Sequence, residues 1–325
     1  MYIAYILNLV LLIIFFNNSK KISKKFSLFK KTNDNTPIVG GLGIYLYFVL
    51  NIIILLFFEN QIISNNLSIL ILISSIFFIG LIDDIFNLSY KLRLLSIFLI
   101  IFIFLNFNNE FLVKQLYFET INKTFIISDF SYFVTPVFIM LLINSLNMAD
   151  GINGNSGLIF LCYFMIIFIH NSQLNVFLFI IVISIIIFLF FNFKNLLYIG
   201  DSGIYFISIF ISLYLIDSYN QNLTNLSCEK IFLILMIPGI DMFRLFCVRI
   251  YNKKNPFEGD LNHLHHIFMK NFKLSYSLIL YTSLILWPFI ILKFTNFNVL
   301  FLILLNLIFY FFLIFILNSK KKLKR

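Results

Sequence analysis

The chain has 325 residues, of which 61% are hydrophobic and only 12% charged. A soluble domain carries about a quarter charged residues, so these side chains cannot cover a water-facing surface and lipid must be the covering solvent. Lys and Arg outnumber Asp and Glu by 24 to 14, a formal charge of +10, which here points to membrane lipid head groups and phosphate-bearing substrates, not nucleic acid.

In chain order, apolar runs suited to membrane helices lie near 1–16, 40–58, 67–82, 92–107, 132–147, 157–170, 174–191, 203–217, 229–246, 276–292 and 297–317. The expected fold is therefore all-α: a polytopic membrane protein with about eleven transmembrane helices and a single domain over 1–325. Met1–Phe16 has no basic residue ahead of it and no small-residue cleavage site, which reads as a retained first helix with its N-terminus outside. The segment 108–131 is the longest outside loop and has room for a small hairpin or an interfacial helix. The three cysteines, Cys162, Cys228 and Cys247, are far apart and have no metal-ligand spacing.

Charge tests the orientation. With the N-terminus outside, 20 basic residues fall on the inside, including Lys20, Lys30, Lys31, Arg93, Arg249, Lys324 and Arg325. Lys114, Lys123, Lys230 and Lys293 fall outside. This positive-inside bias predicts N-out and C-in.

The 45 Phe residues and the preference for Lys over Arg suggest AT-rich coding, so Asp, His, Gly and Arg carry more information. They gather in five polar clusters, all on the predicted inner face. Thr36–Gly43 opens the second helix; Gly40 and Gly41 there either leave N–H groups free for a phosphate or let helices pack closely. Asp83 and Asp84 end an apolar helix, where paired carboxylates need a cation, with Lys91 and Arg93 shortly after. Asn144, Asn147 and Asp150 precede Gly151 and Gly154; a broken helix there would present hard oxygen ligands, although ordinary turns share this composition. Asp201 lies between Gly200 and Ser202-Gly203, as a metal or phosphate ligand or as a helix N-cap. Finally, Arg244 and Arg249 precede Asn255–His266, with Glu258, Asp260 and three histidines, His263, His265 and His266. Zinc is the alternative there, but no cysteine or second ligand pair stands at zinc spacing. Together the acids suit a magnesium-bound pyrophosphate, and the cations suit its oxygens.

These clusters read as TPxxGG (Thr36–Gly41), DDxxxLSxxxRL (Asp83–Leu94), NxxNxxDGxNG (Asn144–Gly154), GDSG (Gly200–Gly203) and DxxHxHH (Asp260–His266). In order and spacing the chain resembles the polyprenyl-phosphate N-acetylhexosamine-1-phosphate transferases over essentially its whole length. The DxxHxHH form is closer to the branch that initiates surface polysaccharides, lipopolysaccharide among them, than to the muramyl-pentapeptide translocase, which tends to three consecutive histidines. Asn153 stands where many members have Asp, Ile204 where Ser is usual, and 192–199 lacks the family's common Pro-Ala pair.

The resemblance implies transfer of a sugar 1-phosphate from a UDP-N-acetylhexosamine to undecaprenyl phosphate at the cytoplasmic face of a bacterial inner membrane, with release of UMP. By similarity Asp201 and Asn147 coordinate magnesium, with manganese as an alternative. Asp83 and Asp84 orient or deprotonate the lipid phosphate, and Asp150 helps hold the nucleotide. Arg93, Asn144, Gly40 and Gly41 bind substrate, while Arg249, His263, His265 and His266 stabilise the diphosphate. A phosphate monoester with a second pKa of about 6 is largely dianionic at neutral pH, which favours positioning over deprotonation. A homodimer is compatible with the family. The rivals are the muramyl-pentapeptide phosphotransferase of the same family and an anionic-solute transporter. A transporter would need ionisable groups along a path reaching both faces.

Overall fold

The computed structural model describes residues 2–25, 36–58, 67–170, 176–221, 226–257, 259–295 and 297–322. Lys30, Lys31, Glu258, Lys324 and Arg325, used in the charge count and the fifth cluster, lie outside the described residues. Hydrocarbon offers no partner to backbone N–H and C=O groups, so a chain this apolar satisfies them within helices. In order these are α1 (Tyr2–Asn17), α2 (Ser19–Lys25), α3 (Gly40–Phe58), α4 (Leu67–Phe86) and α5 (Tyr90–Phe107). Two strands follow, β1 (Gln115–Phe118) and β2 (Lys123–Ile126). Then come α6 (Ser131–Ala149), α7 (Asn155–His170), α8 (Val176–Phe193), α9 (Gly200–Gln221) and α10 (Cys228–Tyr251). The short α11 (Leu264–Asn271) precedes α12 (Leu274–Phe294) and α13 (Val299–Lys322).

All eleven predicted apolar runs are helices. Nine helices among the described residues are long and apolar enough to cross a membrane, and α1 and α7 are shorter apolar helices. The latter two have 16 residues each, a rise of about 24 Å against a hydrocarbon core of about 30 Å. The 108–131 segment forms the hairpin: β1 and β2 pair antiparallel from Gln115↔Ile126 to Phe118↔Lys123.

The chain divides into two compact units, each assembled from three separated stretches. The first comprises Met1–Leu112, Tyr132–Ile143 and Ser172–Tyr214. In it α3 packs on α1 and α8, and α4 on α5. Its interior is aromatic: the Tyr45 and Phe77 rings stack at 3.8 Å, and Phe206 meets Tyr45 edge-on at 5.6 Å. The second comprises Val113–Ser131, Asn144–Asn171 and Leu215–Arg325. There α12 packs on α7, and α10 and α11 each pack on α12 and α13. Tyr163, Tyr281 and Tyr310 are fully buried in this unit.

In the first unit the start of α3 is tied to the segment before α9. Ile38 bridges Tyr198 in parallel, the Gly40 N–H donates to the Tyr198 carbonyl at 2.8 Å, and the Gly41 N–H donates to that of Ile199 at 2.7 Å. A Cβ on Gly41 would lie 2.2 Å from the Gly203 nitrogen and 2.4 Å from its Cα. The expectation that Gly40 and Gly41 offer free N–H groups to a substrate is therefore corrected. Those donors are taken by backbone carbonyls, and the glycines serve the close approach of two chain segments.

Candidate active site

The first unit holds the predicted carboxylate cluster. The last turn of α4 presents Asp83 and Asp84, both buried. The chain turns at Asn87 with a positive φ of 51°, and the Ser89 side chain caps α5 by accepting the Leu92 N–H. That turn is closed by Asp83: Oδ1 accepts the Leu88 N–H at 2.8 Å, and Oδ2 accepts Arg93 Nη1 at 2.9 Å and the Tyr205 hydroxyl at 3.4 Å. Arg93 is thus the partner of Asp83, and its buried Nε has no hydrogen-bond partner among the described residues. Asp84 reaches α9 instead. Its Oδ1 accepts the Asp201 N–H at 2.8 Å and its Oδ2 the Ser202 N–H at 3.0 Å. A carboxylate astride the first N–H groups of a helix satisfies orphan donors and suits the positive end of the helix dipole. Gly200, at φ +75°, would bring a Cβ to 2.7 Å from Asp84 Oδ2, so its backbone conformation and this contact both require glycine.

The capping role considered for Asp201 therefore falls to Asp84. The Asp201 carboxylate is half-buried, lies beside that of Asp83 and feels the Arg93 charge. Its carboxyl shares a hydrogen bond with that of Asp83, and among the described residues no backbone N–H or cationic side chain donates to it. Asp83 and Asp201 share the Arg93 guanidinium here, and the oxygen donors left over suit a hard divalent cation. No set of three or more His, Cys, Asp or Glu side chains among the described residues is arranged to hold a metal ion by itself.

The second unit holds the remaining site residues. Asn144 and Asn147 lie one turn apart near the end of α6, and Asp150 is its C-cap, its N–H donating to the Asn147 carbonyl at 3.2 Å. All three are half-buried. The helix is broken as expected: Gly154 has φ 82°, and Asn155 Nδ2 donates back to the Ala149 carbonyl at 2.7 Å. A Cβ on Gly151 would lie 2.2 Å from His265 Nε2 and 2.9 Å from His266 Nε2, so the turn packs directly on the histidines. The two predicted metal ligands, Asp201 and Asn147, thus belong one to each unit.

The basic loop is organised by ion pairs. Arg249 is buried; its Nε donates to Asp260 Oδ2 at 2.9 Å and its Nη1 to the Pro256 carbonyl at 2.9 Å. Assignment of Arg249 to a substrate diphosphate is corrected in this respect: a guanidinium 4% exposed braces the loop leading to the histidines. Burial pushes the Asp260 carboxyl up, but the Arg249 hydrogen bond and charge outweigh it and hold the group below the usual carboxylate range. The His263 and His265 rings stack at 5.6 Å and 7°, and His266 lies 4.2 Å from His265. Burial first, then the neighbouring His266 and His263, push His265 down to about 3. His266 is lowered for the same reasons, burial before His263. His265 is 1% exposed, and among the described residues neither of its ring nitrogens has a hydrogen-bond partner.

Residue reading missed the centre of this cluster. Asp241, 3% exposed within α10, accepts from Arg244 Nη2 at 2.8 Å, the Tyr310 hydroxyl at 2.7 Å, His263 Nδ1 at 2.8 Å and the Leu264 N–H at 3.2 Å. The available signal was a lone acid inside an apolar span, which is costly unless paired or functional. Tyr205 and Tyr310 carried no signal, since tyrosine is common in this chain.

A model described as glycosyl transferase family 4 matches residues 66–219, the stretch carrying the DDxxxLSxxxRL, NxxNxxDGxNG and GDSG motifs. Over that stretch the chain is similar to this family. The undecaprenyl-phosphate alpha-N-acetylglucosaminyl 1-phosphate transferase of Escherichia coli O157:H7 is 26% identical over 270 residues, covering 78% of this chain and 72% of the relative. The protein of the same name from Thermotoga maritima is 28% identical over 239 residues, covering 72% and 68%. That from Salmonella typhi is 24% identical over 279 residues, covering 79% and 73%. These relatives support the resemblance to the polyprenyl-phosphate N-acetylhexosamine-1-phosphate transferases.

Proposed function

We propose that this multi-pass membrane protein transfers N-acetylglucosamine 1-phosphate from UDP-N-acetylglucosamine to undecaprenyl phosphate, at the cytoplasmic face of a bacterial inner membrane, to start a cell-envelope polysaccharide. An oxygen of the lipid phosphate attacks the β-phosphorus. The bond from that phosphorus to the α,β-bridging oxygen breaks, and UMP leaves with the electron pair. One phosphoanhydride replaces another, so the exchange is close to isoenergetic. The observation that carries the reading is the Asp83–Asp84–Asp201 cluster, in which two carboxylates are held by backbone N–H or cationic donors and the third is not. The names of the relatives support the same chemistry.

Asp201 and Asn147 are the residues proposed to hold magnesium, or manganese in its place. A bound divalent ion supplies neutralisation of diphosphate charge as the phosphorus is attacked. Asp84 holds the start of α9, and so Asp201, in place. Asp83 and Arg93 form a fixed pair facing the same carboxylate, and positioning outweighs deprotonation because the lipid phosphate is already largely dianionic at neutral pH, its second pKa being about 6. Asp150 and Asn144 hold the nucleotide, and the histidines border the diphosphate. The test is to incubate purified protein with undecaprenyl phosphate and a panel of UDP-sugars, and to identify the lipid product. The expected product is undecaprenyl-diphospho-N-acetylglucosamine, with UMP released one for one and no turnover in chelator. Turnover that persists in chelator would overturn the metal assignment, and absence of any lipid product would overturn the reading itself.

A further inference from the structure

An acid in the middle of a membrane helix is costly to bury, and a well-packed apolar residue in its place is often neutral or stabilising. Asp241 is such an acid, and α10 around it is long and apolar enough to cross a membrane. Its four donors come from three places: Arg244 on its own helix, Tyr310 on α13, and His263 with Leu264 where α11 begins. Arg244 strengthens the join, donating through Nη2 to the Asn262 carbonyl at 2.8 Å and through Nε to the Tyr310 hydroxyl at 2.8 Å. His263 is the N-cap of α11 and makes no side-chain capping bond itself. Asp241 supplies that cap from another helix and fixes the His263 ring in the same contact.

We infer that Asp241 is a positioning residue of the transferase site: it holds His263 by Nδ1, directs Nε2 outward from that contact, and sets the stack of His263 and His265 against Gly151. A carboxylate on one imidazole nitrogen fixes both the tautomer and the orientation of the ring. This role rests on the proposed sugar-phosphate transfer, because the histidines matter to the reaction only if they border the diphosphate.

The test is a double-mutant cycle on purified protein, reading UMP release from UDP-N-acetylglucosamine and undecaprenyl phosphate. Asp241→Asn keeps the shape but cannot accept all four donors. It is expected to lower kcat about 10- to 100-fold, the range seen when a partner orienting a functional histidine is removed, with KM for undecaprenyl phosphate within about twofold. Because Asp241 acts through His263, the Asp241→Asn/His263→Ala double variant should be no slower than His263→Ala alone. Tyr310→Phe removes one donor and leaves the His263 contact, so it should lower the melting temperature and keep kcat within about threefold. If Asp241→Asn is not monodisperse, Asp241→Glu carries the same cycle, since it keeps the charge and moves the carboxylate by one methylene. Multiplying losses in the double variant, or an unchanged kcat in Asp241→Asn, would show a structural acid only and overturn the inference while transfer stands. A wild-type protein without transfer would overturn the functional reading and this role with it.

Discussion

The carboxylate of Asp84 accepts two backbone N–H groups and that of Asp201 accepts none, so amidation should separate their contributions. In Asp84→Asn one oxygen remains to accept and an NH2 group faces the second N–H, which costs about 1–3 kcal/mol for a buried unsatisfied donor. Asp84→Asn should therefore lower the thermal midpoint in detergent. Asp201→Asn should keep the wild-type midpoint and abolish metal-dependent transfer. Equal midpoints for the two variants, or full activity in Asp201→Asn, would contradict this division. The acids at helix ends were legible because Asp is scarce in the chain and each carries a local pattern. Asp241 was not, because its near partner, Arg244 three residues on, reads as an ordinary helix pair, and its other side-chain partners lie 22 and 69 positions away. Gly40 and Gly41 were ambiguous for the same reason. Whether their N–H groups are free depends on the carbonyls of Tyr198 and Ile199, far along the chain.

Every apolar run of membrane length became a helix, since the bilayer allows so few alternatives; the short elements between them required the structure. The hairpin is one. The Glu229 carboxylate, at the start of α10, accepts the N–H groups of Glu119 and Thr120 at 3.0 and 3.1 Å and the Thr120 hydroxyl at 2.7 Å. Glu229→Ala leaves those donors without an acceptor, so amide exchange over 115–126 should quicken while transfer stays within about threefold. Protection unchanged from wild type would show that β1 and β2 hold themselves. The start of α11 is the other, and it is acid-sensitive. The groups facing His265 are His263, His266, Asp241 and Tyr281. Its folded value of about 3 lies below the ordinary 6.5, so the unfolded chain takes up the proton first. Its contribution is complete above about pH 6.5 and is lost as pH falls toward 3, roughly 2 kcal/mol of it by pH 5. Asp260, held low by Arg249, adds loss in the same direction below its ordinary 3.8. The thermal midpoint should fall between pH 7.5 and 5, and less steeply in His265→Gln. A wild-type midpoint flat over that range would contradict the buried neutral histidine.

At the scale of the whole molecule, helix parity and charge make one argument. If all eleven apolar helices crossed the membrane, as the sequence predicts, the termini would lie on opposite sides, and the turns after α4, α6, α8 and α10 would be expected on one side together with the segment before α3. These carry all five motifs, while the hairpin after α5 would fall on the other side. Parity alone does not say which side is the cytoplasm. The sequence's positive-inside bias, 20 basic residues against Lys114, Lys123, Lys230 and Lys293, is the ground on which we propose that the motif side is cytoplasmic. Nucleotide sugars are made in the cytoplasm, so the proposed reaction requires the same answer. In a cysteine-free background, a cysteine at Asn122 in the hairpin should react with an impermeant maleimide on intact cells. One at Lys253, after α10, should react only once the cells are opened. A C-terminal fluorescent-protein fusion should glow and an alkaline phosphatase fusion at the same point should be silent. Labelling of Lys253→Cys in intact cells would reverse the orientation and remove the site from the UDP-sugar pool, leaving the carboxylate cluster intact but the proposed donor out of reach.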